Sequence, residues 1–335
     1  MARKKEIDAC IRQAVDFLAT QQLPSGEFVT YRARDAAMTV EVSADSSVFP
    51  TALIGHSLQF IPQAAPMLDR AADFLLAAME RGGIWRYWTK QHEHHHVIPP
   101  DMDDIVCISA LLRDLNRPIP DNIPLILANR NRDGLFYTWF FPRLSTWQHP
   151  TLWSILLCES NLRPSRSMFW RINESGKNDV DCVVNANLLF YLGQRRETEP
   201  VIDWLIEIID QGQEACCDKW HLNRFTFYYM LSRCFAAGVT RLEAAREEII
   251  GRIEQATHPD GSIGTTILET ALAVCALHNF NVTTNNLSKA VDAICNAQQI
   301  DGSWPRHVMY YGGPAKYWGW GSEALTTAYC LEAIR

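Results

Sequence analysis

Apolar residues recur along this chain at i, i+3, i+4 spacing, and almost nowhere at the strict alternation of a half-buried strand. The pattern predicts twelve helices in six pairs. First members fall at about 9–22, 67–80, 121–130, 199–211, 244–256 and 287–299. Second members fall at about 49–61, 101–115, 179–193, 223–237, 267–279 and 322–334. Many second members are apolar on nearly every face, as in Asp104-Ile-Val-Cys-Ile-Ser-Ala-Leu-Leu112 and Glu269-Thr-Ala-Leu-Ala-Val-Cys-Ala-Leu277. A helix apolar all round must be enveloped by other structure, whereas the more amphipathic first members need cover on one side only. Six enveloped helices, each paired with a one-faced partner, predict an inner ring inside an outer ring. The expected fold is therefore all-α, a single (α/α)6 barrel over residues 1–335, in preference to an open helical solenoid.

A recurring turn punctuates the pairs. Ile294-xxx-Gln298-xxx-Gly302-Ser-Trp304 is the clearest copy, followed by Phe17-xxx-Gln21-xxxx-Gly26-Glu-Phe28 and Gln255-xxxxx-Gly261-Ser-Ile263. Gly83-Ile-Trp85 and Asp133-Gly134-Leu-Phe136 are weaker, and a degenerate copy is placed at Val201 to Trp220. Two stretches, at about 131–178 and 303–321, are too long for connectors, and loops of such length are usually functional.

Composition narrows the picture. With 335 residues and 47% apolar content the chain can bury a large core. Its 31 Lys+Arg against 38 Asp+Glu, without a long basic run, argue against nucleic acid as the partner. Most of the ten cysteines sit inside apolar helical runs and no CxxC occurs, which predicts free thiols in a reducing cytoplasm. The start of the chain is amphipathic rather than signal-like, and the longest apolar runs, such as Ile105 to Leu112, fall far short of the ~20 residues that span a bilayer. The expectation is a cytoplasmic protein, with peripheral membrane association open and no obligatory protein partner.

The candidate chemistry begins at Pro99-Pro100-Asp101-Met102-Asp103-Asp104, where three carboxylates occupy the first turn of an otherwise apolar helix. Helix dipoles favour anions there, and ordinary charge capping is the simpler alternative. Crowded carboxylates cannot all ionise cheaply, so one proton is retained at neutral pH. Facing an apolar cavity, such an acid can protonate a weak base: an alkene or an epoxide.

Asp101-Met102-Asp103-Asp104 matches the DxDD signature of class II terpene cyclases, and the Gln…Gly-Ser-Trp304 units resemble the QW repeats of the squalene–hopene cyclase family. Being one barrel long, the chain looks closest to single-domain meroterpenoid cyclases of the merosterolic acid synthase type. The resemblance implies Asp103 as the Brønsted acid, supported by Asp101 and Asp104. It implies an isoprenoid substrate, a prenylated aromatic or its terminal epoxide, and no cofactor or metal. Ile105-Val106 departs from the Thr-Ala more usual in hopene cyclases.

Carbocations need aromatic faces, worth roughly 0.5–2 kcal/mol per contact. The residues expected to supply them are Trp85, Trp147, Trp153, Phe225, Tyr229, Tyr311 and Trp318, while Trp304, Phe28 and Trp204 are read as core. Asp179-Val-Asp181-Cys182 is placed at the position of Asp101-Met-Asp103-Asp104 in the next unit, accompanied by Asn178, Asn185 and Asn187. These amides could hydrogen-bond the acid cluster or a substrate oxygen, or serve only as caps and core polar groups. His92, His94, His95 and His96 are expected to contact an acidic substrate head group. Other readings stay open: a class II cyclase of a linear prenyl diphosphate, a zinc-dependent prenyltransferase using Asp179, Cys182 and His221 or His258, or a non-catalytic isoprenoid carrier. No DDxxD motif occurs, which disfavours metal-assisted diphosphate ionisation.

Overall fold

The computed structural model describes residues 2–141, 143, 153 and 165–335. Six helices are buried along nearly their whole length: α2 (Phe49–Leu58), α4 (Met102–Asp114), α7 (Cys182–Leu192), α9 (Arg224–Ala236), α11 (Ile267–Asn279) and α13 (Glu323–Ile334). Each packs on the next, and α13 returns to α2, so the inner ring closes. Around it stand α1 (Ala2–Gln21), α3 (Ala65–Ala78), α5 (Ile123–Ala128), α8 (Glu199–Asp210), α10 (Glu243–Gln255) and α12 (Asn285–Asn296). These bury one stripe only, such as Leu287, Ala290 and Ile294 on α12. A further short helix, α6 (Ser165–Ile172), lies within the first long inserted stretch.

The repeat turns weld neighbouring units. Gln298 Nε2 donates to Gly302 O at 3.0 Å and to Cys10 O on α1 at 2.9 Å, so the last turn fastens onto the first helix. A Cβ on Gly302 would lie 2.3 Å from Gln13 O, and φ of +89° there also demands glycine. In the first unit the equivalent tie runs from Gln22 Nε2 to Gly26 O and Met67 O, so Gln22 and not the expected Gln21 is the repeat glutamine. Trp304 and Trp85 each hand the indole N–H to a carbonyl of the preceding outer helix, Ile294 and Leu75, at 2.8 Å.

Two findings depart from the sequence reading. The chain also forms a small antiparallel sheet of order β2-β1-β4-β3, from β1 (Tyr31–Ala33), β2 (Ser43–Ala44), β3 (Tyr310–Gly312) and β4 (Trp318–Gly321). The 303–321 stretch is thus largely a hairpin, with Tyr310 opposite Trp320. Cys182 and Cys217, expected as free thiols, are joined as a disulfide with Cα atoms 5.5 Å apart. Among the described residues no helix is long and apolar enough to cross a membrane.

Candidate active site

Asp101 is the N-cap of α4, its side chain accepting from Asp103 N at 2.9 Å. This leaves Asp103 and Asp104 in the first helical turn, almost wholly buried, beside a cavity at the mouth of the barrel. The comparable cap of α7 is Asp181, so Asp101 corresponds to Asp181, two residues from the expected alignment with Asp179. Asp179 instead pairs with Lys219 Nζ at 2.6 Å.

All three acids line the cavity, walled by Phe49, Trp88, Trp139, Trp220, Tyr310 and Trp320. The cavity is open on one side and encloses about 630 Å³ of space between its walls and the solvent. Burial, reinforced by the Asp103 charge, holds the Asp101 carboxyl well above the usual range. Asp104 is raised by burial and then by its two neighbours. Burial and then the Asp218 charge push Asp181 up to about 7, against the Thr138 hydroxyl at 2.6 Å.

Asp103 is held by two side chains. Asn187 Nδ2 donates to its Oδ1 at 2.8 Å, and His221 Nε2 lies 3.4 Å from its Oδ2. His221 is placed by Asp218, whose Oδ1 accepts the His221 backbone N–H at 2.7 Å. Burial opposes the imidazolium, but the Asp103 hydrogen bond and the Asp218 charge outweigh it and raise the His221 pKa. The first turn of α4 thus offers one acid with one oxygen engaged by an amide and the other beside a cavity-lining imidazole.

The remaining expected residues divide. Tyr311 lines the cavity and donates its backbone N–H to Trp220 O. Trp85 does not reach it, being committed to the repeat turn; Phe225 packs edge-on against Tyr228, and Tyr229 gives its hydroxyl to Glu332. Trp318 lies under Arg32 and Arg34 on the sheet. Trp147 lies outside the described residues, and Trp153 carries a buried indole N–H without an acceptor. Of the three asparagines only Asn187 meets the acid cluster: Asn185 brackets the backbone of Phe136, and Asn178 accepts from Arg143.

None of the four histidines lines the cavity. His92 stacks on Trp88 and meets Asp45 Oδ1 at 3.1 Å, while His95 sits between Trp88 O and Glu80. His94 and His96 pack on these two rings. His92 and His95 buttress the wall behind the cavity, their polar ring atoms taken up there, while His94 reaches the exposed Glu93 and His96 is exposed. Zinc ligation by the conceived set is not formed: Cys182 is joined to Cys217, and His258 faces Gly264 O. Among the described residues no group of three His, Cys, Asp or Glu side chains is arranged to hold a metal ion.

No protein-family model matches this chain, and no curated protein matches it. Solved structures do. The type II terpene cyclase MstE from Scytonema superposes with a TM-score of 0.71 at 15% identity, over 98% of each chain. A protein from Actinoplanes gives 0.68 at 21% identity, again over 98% of each. The ent-copalyl diphosphate synthase from Streptomyces platensis gives 0.58 at 17% identity, over 86% of this chain and 50% of that one. The likeness shows the fold: this chain has the helical barrel that those terpene cyclases share.

Proposed function

We propose that this protein is a class II, protonation-initiated cyclase of a prenylated aromatic, with Asp103 as the acid. The observation that carries the reading is Asp103 itself, buried at a helix N-terminus, aimed into an aromatic cavity and gripped by Asn187 and His221. In the reaction the Asp103 O–H bond breaks and a C–H bond forms at the terminal alkene of the prenyl chain (or an O–H bond at a terminal epoxide). The next double bond supplies its electron pair to the tertiary cation, and ring closure proceeds until a proton is lost. The carboxylate left behind is stabilised by the Asn187 N–H, the α4 dipole and the His221 imidazolium. The cavity rings shield the cation from water and face it with their π systems.

The same fold in MstE accompanies a geranylgeranyl dihydroxybenzoate substrate and the product merosterolic acid A, as those solved complexes name them. In this chain, Lys316 Nζ is buried without a hydrogen-bond partner and sits 3.8 Å from the centre of the Trp220 ring. The indole N–H groups of Trp139 and Trp220 also lack acceptors. Lys316 is not itself on the cavity wall, but Trp139 and Trp220 are, and their two unsatisfied indole donors suit the carboxylate and hydroxyl of an aromatic acid better than a diphosphate, which calls for several cations.

The test is incubation of the purified protein with prenylated hydroxybenzoates and, separately, geranylgeranyl diphosphate, without added metal, alongside Asp103→Asn. A cyclised aromatic product from wild type alone supports the reading. Cyclisation of the diphosphate only would move the substrate class, and equal turnover by Asp103→Asn would overturn Asp103 as the acid.

A further inference from the structure

Behind Asp103 stands a buried guanidinium. Asp103 on α4, Asn187 on α7 and Arg233 on α9 occupy three successive inner helices. Arg233 is 6% exposed and donates through Nη2 to Asn187 Oδ1 at 2.5 Å. Its Nε and Nη1 have no hydrogen-bond partner, and the guanidinium lies 4.4 Å from the centre of the Phe190 ring. Among the described residues no carboxylate forms an ion pair with it. A cation held in this way is costly, and packing alone would be served as well by an apolar side chain.

What the arrangement does follows from donor and acceptor counting. A guanidinium only donates, whereas an amide has one accepting and one donating end. Arg233 therefore draws the Asn187 oxygen toward itself and turns the Asn187 NH₂ toward Asp103 Oδ1. Oδ1 takes the short bond, 2.8 Å from the amide against 3.4 Å between His221 Nε2 and Oδ2, so the acidic hydrogen of Asp103 falls to the less tightly held Oδ2, on the side of the cavity. Were Asn187 reversed, its oxygen would face Asp103 and draw the proton into an O–H···O bond away from the substrate.

We propose that Arg233 is a positioning residue: through Asn187 it fixes which oxygen of Asp103 carries the reactive proton, and it favours the carboxylate that remains after transfer. The proposal rests on Asp103 being the acid.

The test compares wild type, Arg233→Met, Arg233→Lys, Asn187→Leu, the Arg233→Met/Asn187→Leu double variant and Asp103→Asn on one substrate. Arg233→Met is expected to lower kcat about 10- to 100-fold with KM within about twofold. The alkaline limb of its kcat profile should move to higher pH, because the carboxylate is less stabilised. Arg233→Lys, which keeps a charged donor, should restore most of kcat. In the Asn187→Leu background the Met substitution should cost little more, since Arg233 acts through that amide. A wild-type rate and pH profile in Arg233→Met, or a full independent loss in the double variant, overturns the proposal. If Arg233→Met does not fold, neutral Arg233→Gln decides: an unmoved alkaline limb overturns the proposal, a raised one upholds it.

Inactivity of wild type, or full activity of Asp103→Asn, would instead strike the functional reading. Infrared spectroscopy then tests Arg233 without turnover. The carbonyl band of protonated Asp103, identified by its loss in Asp103→Asn, should rise in frequency in Arg233→Met, and an unmoved band overturns the proposal.

Discussion

Asp45 accepts the indole N–H of Trp320 at 2.6 Å, in a carboxylate that is only 3% exposed. The indole of Trp88 reaches the same oxygen at 3.2 Å, and both rings line the cavity. Donation to an anion pushes electron density into an indole, so its face attracts a cation more strongly. Asp45→Asn should therefore lower cyclisation about 10-fold and raise the share of prematurely quenched products, with little change in KM. Product profiles by mass spectrometry read this directly, and an unchanged ratio of full to partial cyclisation would count against it.

His221 should matter to rate more than to binding. Its replacement by Phe keeps the ring packing against Phe49 and Tyr310 but removes the partner of Asp103 Oδ2. The expected loss in kcat is on the order of 10²-fold, with Asp103→Asn falling by at least about 10³. Steady-state kinetics on the two variants would reveal any departure from that order.

The raised carboxyls tie stability to pH. A carboxyl whose folded pKa exceeds its unfolded value binds more protons folded than unfolded, so stability falls as pH rises between the two. For Asp181 that window runs from the ordinary 3.8 to about 7. Asp181→Asn should flatten the decline in Tm across it. Thermal melts at pH 5, 6 and 7 settle the matter; parallel curves for wild type and variant would show that Asp181 does not titrate there.

Gly302→Ala places a methyl 2.3 Å from Gln13 O at positive φ. The strain should cost on the order of 3 kcal/mol, seen as a lower midpoint in urea. Gly251→Ala, in the interior of α10 with nothing within 4 Å of the added Cβ, is the control and should stabilise by about 0.5–1 kcal/mol.

Helices were the most readable part of the sequence because envelopment leaves a plain mark. The run 267–279 reads as one inner helix and folds with those same bounds, and 101–115 becomes Met102–Asp114. Strands of two to four residues are too short to show alternation, so the sheet left no trace of its own. The acid trio was legible because its members are adjacent. Its partners were not: His221 lies 118 residues beyond Asp103 and drew notice only as a conceivable metal ligand. Asn187 was visible as one of three amides, yet only the ring's curvature selects it over Asn178 and Asn185. Arg233 stands among Phe, Tyr and Met in an otherwise core-like helix, where a basic residue gives no hint of what it faces. The disulfide was hidden likewise, its cysteines 35 residues apart and each lodged in an ordinary context.

The opening turns of α2, α4 and α7 all reach the cavity, through Phe49, the three aspartates and Val184. Three positive dipole ends converge where a carbocation would run, an inhospitable place for one. Surrender of the proton changes that: the same event that creates the cation also creates its counter-anion, at the spot where the backbone field is most adverse. Host and guest would become charged together, so the running cation always has a counter-anion at the acid that produced it.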